Sequence, residues 1–386
     1  AIGSGDPVLA KRHLMHTSAL NKIITVPSCL LILGIVGLAS LFIDDDAVMK
    51  ECFLYVLGRL PGLLPLLLFI TYRSYLQALG STREAMLAVL AANVFNVPLS
   101  VALAFGDRVF EPLFGFSTGL GDGLGPLGVG LATSIVTLWE AHYVYRAIQK
   151  RPDPGDAGPI RWAGMKTVLR LGVPSGFHLL AEIGVFTAAC FVIGIIGTVP
   201  LAAHQVALNL ASMTFTICLG VSSATSTRVG FAVGRRRLDE TRRSGWAGII
   251  VSTVIMGAFG TLFMLFPGVL AGWITTETAI IEAAIPLIQI AAVFQISDGL
   301  QSVAGGACRG TGDTKTPMFV NLIGHWVFGL PCGLALAFWL MNERPESQTA
   351  GVWWGLTIGL SLVGIALCLS FYRKTRVLIE PVVTEH

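Results

Sequence analysis

Two acidic residues stand where charge is costly. Glu182 lies in the run F-H-L-L-A-E-I-G-V-F at 177–186, and Asp298 in A-V-F-Q-I-S-D-G-L-Q at 292–301. An ionisable group in the middle of a bilayer costs roughly 3 kcal/mol or more and marks an ion or substrate path by default. In hydrocarbon a carboxyl group persists as the neutral acid or as a carboxylate beside a cation. A pair can hold protons, Na⁺ or an organic cation, but not all at once, and exchange of one for another requires that exclusivity. His178, one helical turn before Glu182, is placed either to hydrogen-bond it or simply to pack. Phe294, one turn before Asp298, reads first as core. With Gln295 and Gln301 these two are the candidates to line a shared cleft. The competing reading makes each acid a hydrogen-bonded structural group facing a backbone or an Asn.

The elements that must position these acids are apolar helices. Of the 386 residues, 54% are hydrophobic and 13% charged, far outside the soluble range. The expected fold class is an all-α polytopic membrane protein. A span needs about 20 apolar residues. Ten stretches qualify, near 22–43, 47–72, 84–106, 125–148, 166–196, 199–229, 245–267, 278–306, 317–341 and 350–372. Pro27, Pro61, Pro65, Pro98, Pro174, Pro286 and Pro331 fall inside them, tolerated because neighbouring helices satisfy the freed carbonyls. Arg59 also lies within a span and is expected to snorkel to the outer face.

Loop charges set the orientation. Lys11, Arg12, Lys22, Arg73, Arg83, Arg146, Lys150, Arg151, Arg161, the cluster Arg235–Arg243, Arg309, Lys315 and Arg373–Arg376 share one face. Asp44, Asp45, Asp46, Asp107, Glu111, Asp122, Glu277, Glu343 and Glu346 dominate the other. The excess of Lys and Arg on cytoplasmic loops predicts that both ends are cytoplasmic. Glu182 then lies about 16 residues into a helix entering from the cytoplasm, and Asp298 about 20 residues into one entering from outside. At about 1.5 Å per residue both reach the middle of the bilayer.

The polar stretch R-P-D-P-G-D-A-G-P-I-R at 151–161 divides the chain. An N-terminal lobe of four helices is expected at 1–150, a cytoplasmic linker at 151–163, and a six-helix lobe with a cytoplasmic tail at 164–386. A repeat crosses this division. A-L-G-S-T-R-E-A-M at 78–86 resembles R-G-T-G-D-T-K-T-P-M at 309–318, with Gly80 on Gly312 and Arg83 on Lys315, an offset of 232 (80 to 312). A-I-G-S-G-D-P-V-L-A-K-R at 1–12 matches A-V-G-R-R-R-L-D-E-T-R-R at 232–243, an offset of 231 (1 to 232). Two matches at nearly one offset argue for duplicated halves. In the second half two spans precede the latter motif and in the first half none does, so symmetry implies two helices missing at the start.

Other chemistry is poorly represented. The seven cysteines show no CxxC and no zinc spacing to His, and read as small core residues. G-L-G-P-L-G at 123–128 fits GxGxxG literally, but follows no strand and contains Pro126. G-T-G-D-T-K-T lacks the Gly-Lys of a phosphate loop, and neither HExxH nor GxSxG occurs, so an enzyme is not expected. The basic loops are a solvated face and a topology signal, with no nucleic-acid site. No cleavable signal peptide is visible.

Four motifs in order resemble the multidrug and toxic compound extrusion (MATE) family of antiporters. They are R-x-x-L-x-A-x-G-x-T (Arg73, Leu76, Ala78, Gly80, Thr82), G-x-P-S (Gly172, Pro174, Ser175), A-H-Q (Ala203, His204, Gln205) and R-G-x-G-D-T (Arg309, Gly310, Gly312, Asp313, Thr314). The resemblance covers essentially the whole chain. It implies a MATE-type two-lobe helical bundle with ten transmembrane helices present of an expected twelve, similar to helices three to twelve of the family. It also implies the cation- or proton-coupling role of NorM-type members for Glu182 and Asp298. NorM-type proteins often carry Tyr at the position of Phe294.

The implied function is a secondary antiporter of the bacterial inner (plasma) membrane. It would export cationic amphiphilic drugs or toxins in exchange for Na⁺ or H⁺, by alternating access, with the lobes rocking about the linker. No cofactor is expected, Na⁺ is one of two candidate coupling ions, and the protein is expected to be monomeric. Two alternatives stand beside it. A lipid-linked saccharide flippase of the same superfamily would be expected to place several Arg or Lys residues in its cleft. A chain without the first two helices is a non-functional fragment if those helices are required.

Overall fold

The computed structural model describes residues 1–377 apart from Asp44, Phe116, Thr118 and Leu120, and does not describe the side chains of Phe110, Phe114 and Val377. Asp44 of the acidic loops and the tail 378–386 therefore lie outside the described residues. Helices carry the fold, and there is no strand among the described residues. Two compact units form, Ala1–Val168 and Leu169 onward.

The first unit contains α1 (Pro7–Ala39), α2 (Asp46–Arg59), α3 (Leu63–Ala78), α4 (Arg83–Phe105), the short α5 (Asp107–Phe114) and α6 (Pro126–Gln149). Side-chain caps start two of them. Asp6 accepts from the amide of Leu9 at 2.8 Å ahead of Pro7, and Asp45 from those of Ala47 and Val48. Pro61, which has no N–H, tightens the chain between α2 and α3 into a 3₁₀ turn, Leu60–Gly62. Ser134 of α6 fills the gap in the hydrogen-bond ladder. Its hydroxyl donates to the Gly58 carbonyl at 2.7 Å and accepts from the Gly62 amide at 3.1 Å. Glycines let α2 and α6 meet there: a Cβ on Gly58 would lie 2.5 Å from the Leu127 carbonyl oxygen.

The stretch 151–161 is fastened along α1. Lys11 pairs with Asp153 at 2.6 Å and donates to the Gly155 carbonyl, and Arg12 donates to the Ala157 carbonyl. The Arg161 amide donates to His16 Nε2 at 3.1 Å. Two of the stretch's carbonyls, those of Gly155 and Ala157, thus accept from side chains of α1.

From the end of the first unit α7 (Trp162–Ile196) runs into the second. That unit continues with α8 (Thr198–Gly234), α9 (Leu238–Leu265), α10 (Pro267–Gly272), α11 (Thr278–Gly310), α12 (Lys315–Leu322), α13 (Leu330–Ala335) and α14 (Pro345–Val377). The span expected at 317–341 is one helical rod, Lys315–Leu340, in which α12 and α13 alternate with π-helical turns at Ile323–Gly329 and Leu336–Leu340. It packs closely on α14. A Cβ on Gly355 would lie 2.1 Å from the Gly333 Cα, and one on Gly359 2.7 Å from the Gly329 Cα.

At the middle of the second unit, α11 is flanked by α8, α9 and α14. Every residue from Gln301 to Cys308 is buried. Small side chains allow this; a Cβ on Gly306 would strike the Ser222 hydroxyl at 2.4 Å.

Among the described residues nine helical stretches are long and apolar enough to cross a membrane. The chain is a multi-pass membrane protein. The tenth expected span is the 24-residue α6, long enough but less apolar, because Glu140, His142 and Arg146 fall in its second half. Leu, Ile, Val and Phe side chains are widely exposed on these helices, as lipid contact requires.

The two sequence matches recur as backbone geometry. Gly80 and Gly312 both take the left-handed conformation, with φ of 78° and 85°. The Ser81 amide donates to the Leu76 carbonyl at 2.9 Å, and the Asp313 amide to the Cys308 carbonyl at 3.1 Å. These are the bonds that close a helix C-terminus on a left-handed residue. In the other pair Gly5 and Arg236 have φ of 75° and 56°. The Asp6 amide donates to the Ala1 carbonyl at 3.0 Å, and the Arg237 amide to that of Ala232 at 3.0 Å.

Candidate functional site

Helical periodicity places His178, Glu182 and Phe186 on one face of α7, each a turn after the last. On α11 the same rule aligns Phe294, Asp298 and Gln301. Residues of α8 complete a concave surface: Gln205, Leu208, Ala211, Ser212, Phe215 and Leu219. Together they line an open cavity of about 540 Å³ within the second unit, lined also by Thr187, Cys190, Glu182, Phe186, Phe294 and Asp298. The two acids expected to work as a pair share this cavity. Both are largely withdrawn from its surface, Glu182 being 9% exposed and Asp298 5%.

Glu182 has a partner for each oxygen. Gln301 donates through Nε2 to Oε1 at 2.9 Å, while Nε2 of His178 faces Oε2 at 3.7 Å. The other ring nitrogen of His178, Nδ1, lies 3.1 Å from the Pro317 carbonyl oxygen. A carbonyl only accepts, so Nδ1 carries the hydrogen and Nε2 of the neutral ring presents a lone pair. The cavity wall near Asp298 is aromatic. Phe294 meets Phe186 edge to face with centroids 5.9 Å apart, and Trp353 at 5.7 Å. Trp353 in turn donates to His204 Nδ1 at 3.1 Å.

The remaining expected residues are placed differently. Gln295 is fully buried and donates to the Thr214 hydroxyl at 2.6 Å, tying α11 to α8 away from the cavity surface. His178 and Gln301 stand behind Glu182 and are not lining residues. Gln205, Phe186 and Phe215 do line the cavity and were not singled out for it by the sequence. Gln205 carried a signal, as the third residue of A-H-Q; the two phenylalanines carried none, being indistinguishable in sequence from lipid-facing ones.

The R-G-x-G-D-T segment is structural. Arg309 donates to the Ser222 hydroxyl at 3.2 Å. Asp313 accepts from the Thr316 amide at 3.0 Å and pairs with Lys374 at 2.7 Å. Its burial favours the neutral acid, but Lys374 and the Thr316 bonds outweigh that and hold the carboxyl below its ordinary range. In the first unit Arg59 is half-buried, and its Nη1 is enclosed by protein with no hydrogen-bond partner among the described residues.

A site of two carboxylates in an apolar, aromatic cavity on membrane helices can hold small cations. It offers oxygen ligands from Glu182 and Asp298, and aromatic rings from Phe186, Phe215 and Phe294. Comparison with known proteins identifies the family. The MatE family model matches residues 1–102 and 174–334. The chain belongs to the MatE family of membrane transporters, and within it is NorM-like rather than an enzyme.

Among curated relatives, "Probable multidrug resistance protein NorM" of Pseudomonas putida is 34% identical over 332 residues, 83% of this chain and 68% of that protein. The protein of the same name from Rhizobium meliloti is 32% identical over 391 residues, 97% of this chain and 79% of its own length. For the Xylella fastidiosa relative, 34% identical over 79% of this chain, the chain spans 63% of its length. The crystal structure of the eukaryotic MATE transporter AtDTX14 superposes with a TM-score of 0.82 at 20% identity, over 98% of this chain and 82% of that one.

Proposed function

We propose that the chain is a secondary antiporter that exports cationic, amphiphilic organic compounds in exchange for Na⁺ or H⁺ by alternating access. Glu182 and Asp298 are the groups at which the cations replace one another. The observation that carries this reading is the shared cavity, lined by two largely buried carboxyl groups together with Phe186, Phe215 and Phe294. Its volume of about 540 Å³ falls within the range of small-molecule sites. Aromatic faces attract organic cations, and the carboxylates supply the countercharge. Na⁺ or protons neutralise the same two acids and so compete with the organic cation, which couples the two fluxes once each binds one facing state better.

The relatives' names, multidrug resistance proteins, support organic compounds as the cargo. The loop charges support insertion in the bacterial inner membrane with both ends cytoplasmic. We take the protein to be a monomer.

Ethidium efflux from membrane vesicles, under a Na⁺ gradient and separately under a proton gradient, tests the assignment. Glu182→Gln and Asp298→Asn should each abolish gradient-driven efflux. Efflux unchanged in both variants would refute it.

A further inference from the structure

One face of α6 changes character over its last three turns. Trp139, Tyr143, Arg146 and Lys150 follow at helical spacing and so share that face. At about 1.5 Å per residue, Tyr143 lies about 5 Å deeper along the helix than Arg146, and Trp139 about 6 Å deeper again. The two rings stack with centroids 5.4 Å apart, and Phe95 of α4 meets Trp139 edge to face at 6.1 Å. The surface around them is apolar: Phe95, Ile135 and Leu138 are each more than half exposed.

Where this face nears the start of α4, an open cavity of about 490 Å³ forms. Arg146, Lys150 and Arg151 line it together with Trp139, His142 and Tyr143. Glu84 is the one acid in that lining among the described residues, and it is already engaged. It accepts from Arg151 at 3.2 Å and from the Ser81 hydroxyl. Arg146 rests on His142, donating from Nε to Nε2 at 3.4 Å. Elsewhere the basic side chains of helix ends are often spent, Lys11 on Asp153, Arg237 on Glu240 and Lys374 on Asp313. Among the described residues no acid comes within salt-bridge distance of Arg146 or Lys150. Two cations are thus left at the mouth of a groove whose deeper lining is aromatic.

A soluble anion would use those cations and leave the apolar continuation bare. A phospholipid uses both. Its phosphate meets Arg146 and Lys150, its glycerol lies level with Tyr143 and Trp139, and an acyl chain covers Phe95, Ile135 and Leu138. Tyr and Trp rings settle at that depth of a bilayer, and basic pockets between membrane helices hold anionic head groups. We propose that the groove between α4 and α6 binds an anionic phospholipid of the adjoining leaflet, with Arg146 and Lys150 holding its phosphate. A zwitterionic lipid brings an ammonium group back towards the same cations and loses most of the attraction. The site lies wholly within the first unit and does not depend on the antiporter reading.

Native mass spectrometry of the delipidated full chain reads occupancy during titration with phosphatidylglycerol, or with phosphatidylethanolamine of the same acyl chains. Phosphatidylglycerol should bind roughly tenfold more tightly or better, each basic residue beside an anionic lipid being worth about fivefold. Replacing Arg146 and Lys150 together by Gln should weaken it about twentyfold. Replacing the exposed Arg235 and Arg243 by Gln removes the same charge from the second unit and should leave binding unchanged. Equal binding of the two lipids, or an equal loss in both double variants, would overturn the proposal. So would displacement of the lipid by excess inorganic phosphate, which would make this a site for soluble anions. A wild-type measurement guards against a variant that fails to fold. Phosphatidylglycerol carrying a diazirine on its head group should crosslink to the peptide spanning 139–151, and crosslinking mainly elsewhere would overturn the assignment.

Discussion

The amide of Gln301 donates to the carboxyl of Glu182 at 2.9 Å across α11 and α7, with Gln301 only 1% exposed. A buried acceptor deprived of its donor costs about 1–3 kcal/mol. Gln301→Leu should therefore lower the thermal stability of the purified chain, and lower it less when Glu182 is already Gln. The difference between the two costs, about 1 kcal/mol in a double-mutant cycle, measures the bond. Strictly additive costs would mean that the bond contributes nothing.

The seam between α13 and α14 leaves no room for a methyl group. With the Gly333 Cα 2.1 Å from where a Cβ on Gly355 would sit, Gly355→Ala forces two backbones apart. A loss of about 1–3 kcal/mol is expected, seen as a lower unfolding temperature in detergent. Gly220, which has nothing among the described residues within 4 Å of an added Cβ, is the control. Its replacement by Ala should be neutral or slightly stabilising, by about 1 kcal/mol at most.

Arg236 holds a left-handed φ of 56° where the matching turn uses Gly5. An L side chain pays roughly 1–2 kcal/mol for that conformation and glycine does not. Arg236→Gly should stabilise the chain by up to about 1 kcal/mol, after the extra freedom glycine brings to the unfolded state. Equal or lower stability by thermal unfolding would contradict this.

Asp313 links stability to pH. Its folded carboxyl titrates below the ordinary value of 3.8, so its contribution is fully present above that value and disappears as pH falls through the lower, folded one. Wild type should exceed Asp313→Asn in stability at neutral pH, and the gap should close in strong acid. A gap that stays constant from neutral pH to below 3.8 would show that the Lys374 pair and the α12 cap are not its source.

The sequence made the two acids legible because charge is conspicuous in apolar helices, and periodicity then attached His178 and Phe294 to them. What surrounds the acids was less so. Gln295 follows Phe294 by one residue, and about 100° of helical rotation turns it to Thr214 instead of the cavity. Phe186 and Phe215 differ from lipid-facing neighbours only in what packs beside them. The repeat was legible through glycines that a left-handed turn requires, yet Arg236 shows the backbone persisting where the glycine does not. Ten spans were read where nine stretches are strongly apolar, because α6 balances its charges with length.

Residues 151–161 look from composition like slack rope between two bodies. Lys11, Arg12 and His16 instead grip them at Asp153, Gly155, Ala157 and Arg161, immediately ahead of α7. A pull on the first turn of α7 is thus passed to the first helix of the chain through ionic and amide contacts, with little loose polymer to absorb it. Those 11 residues act as a clasp, and the Lys11–Asp153 ion pair in it is the contact that rising salt would weaken, without cutting a covalent bond.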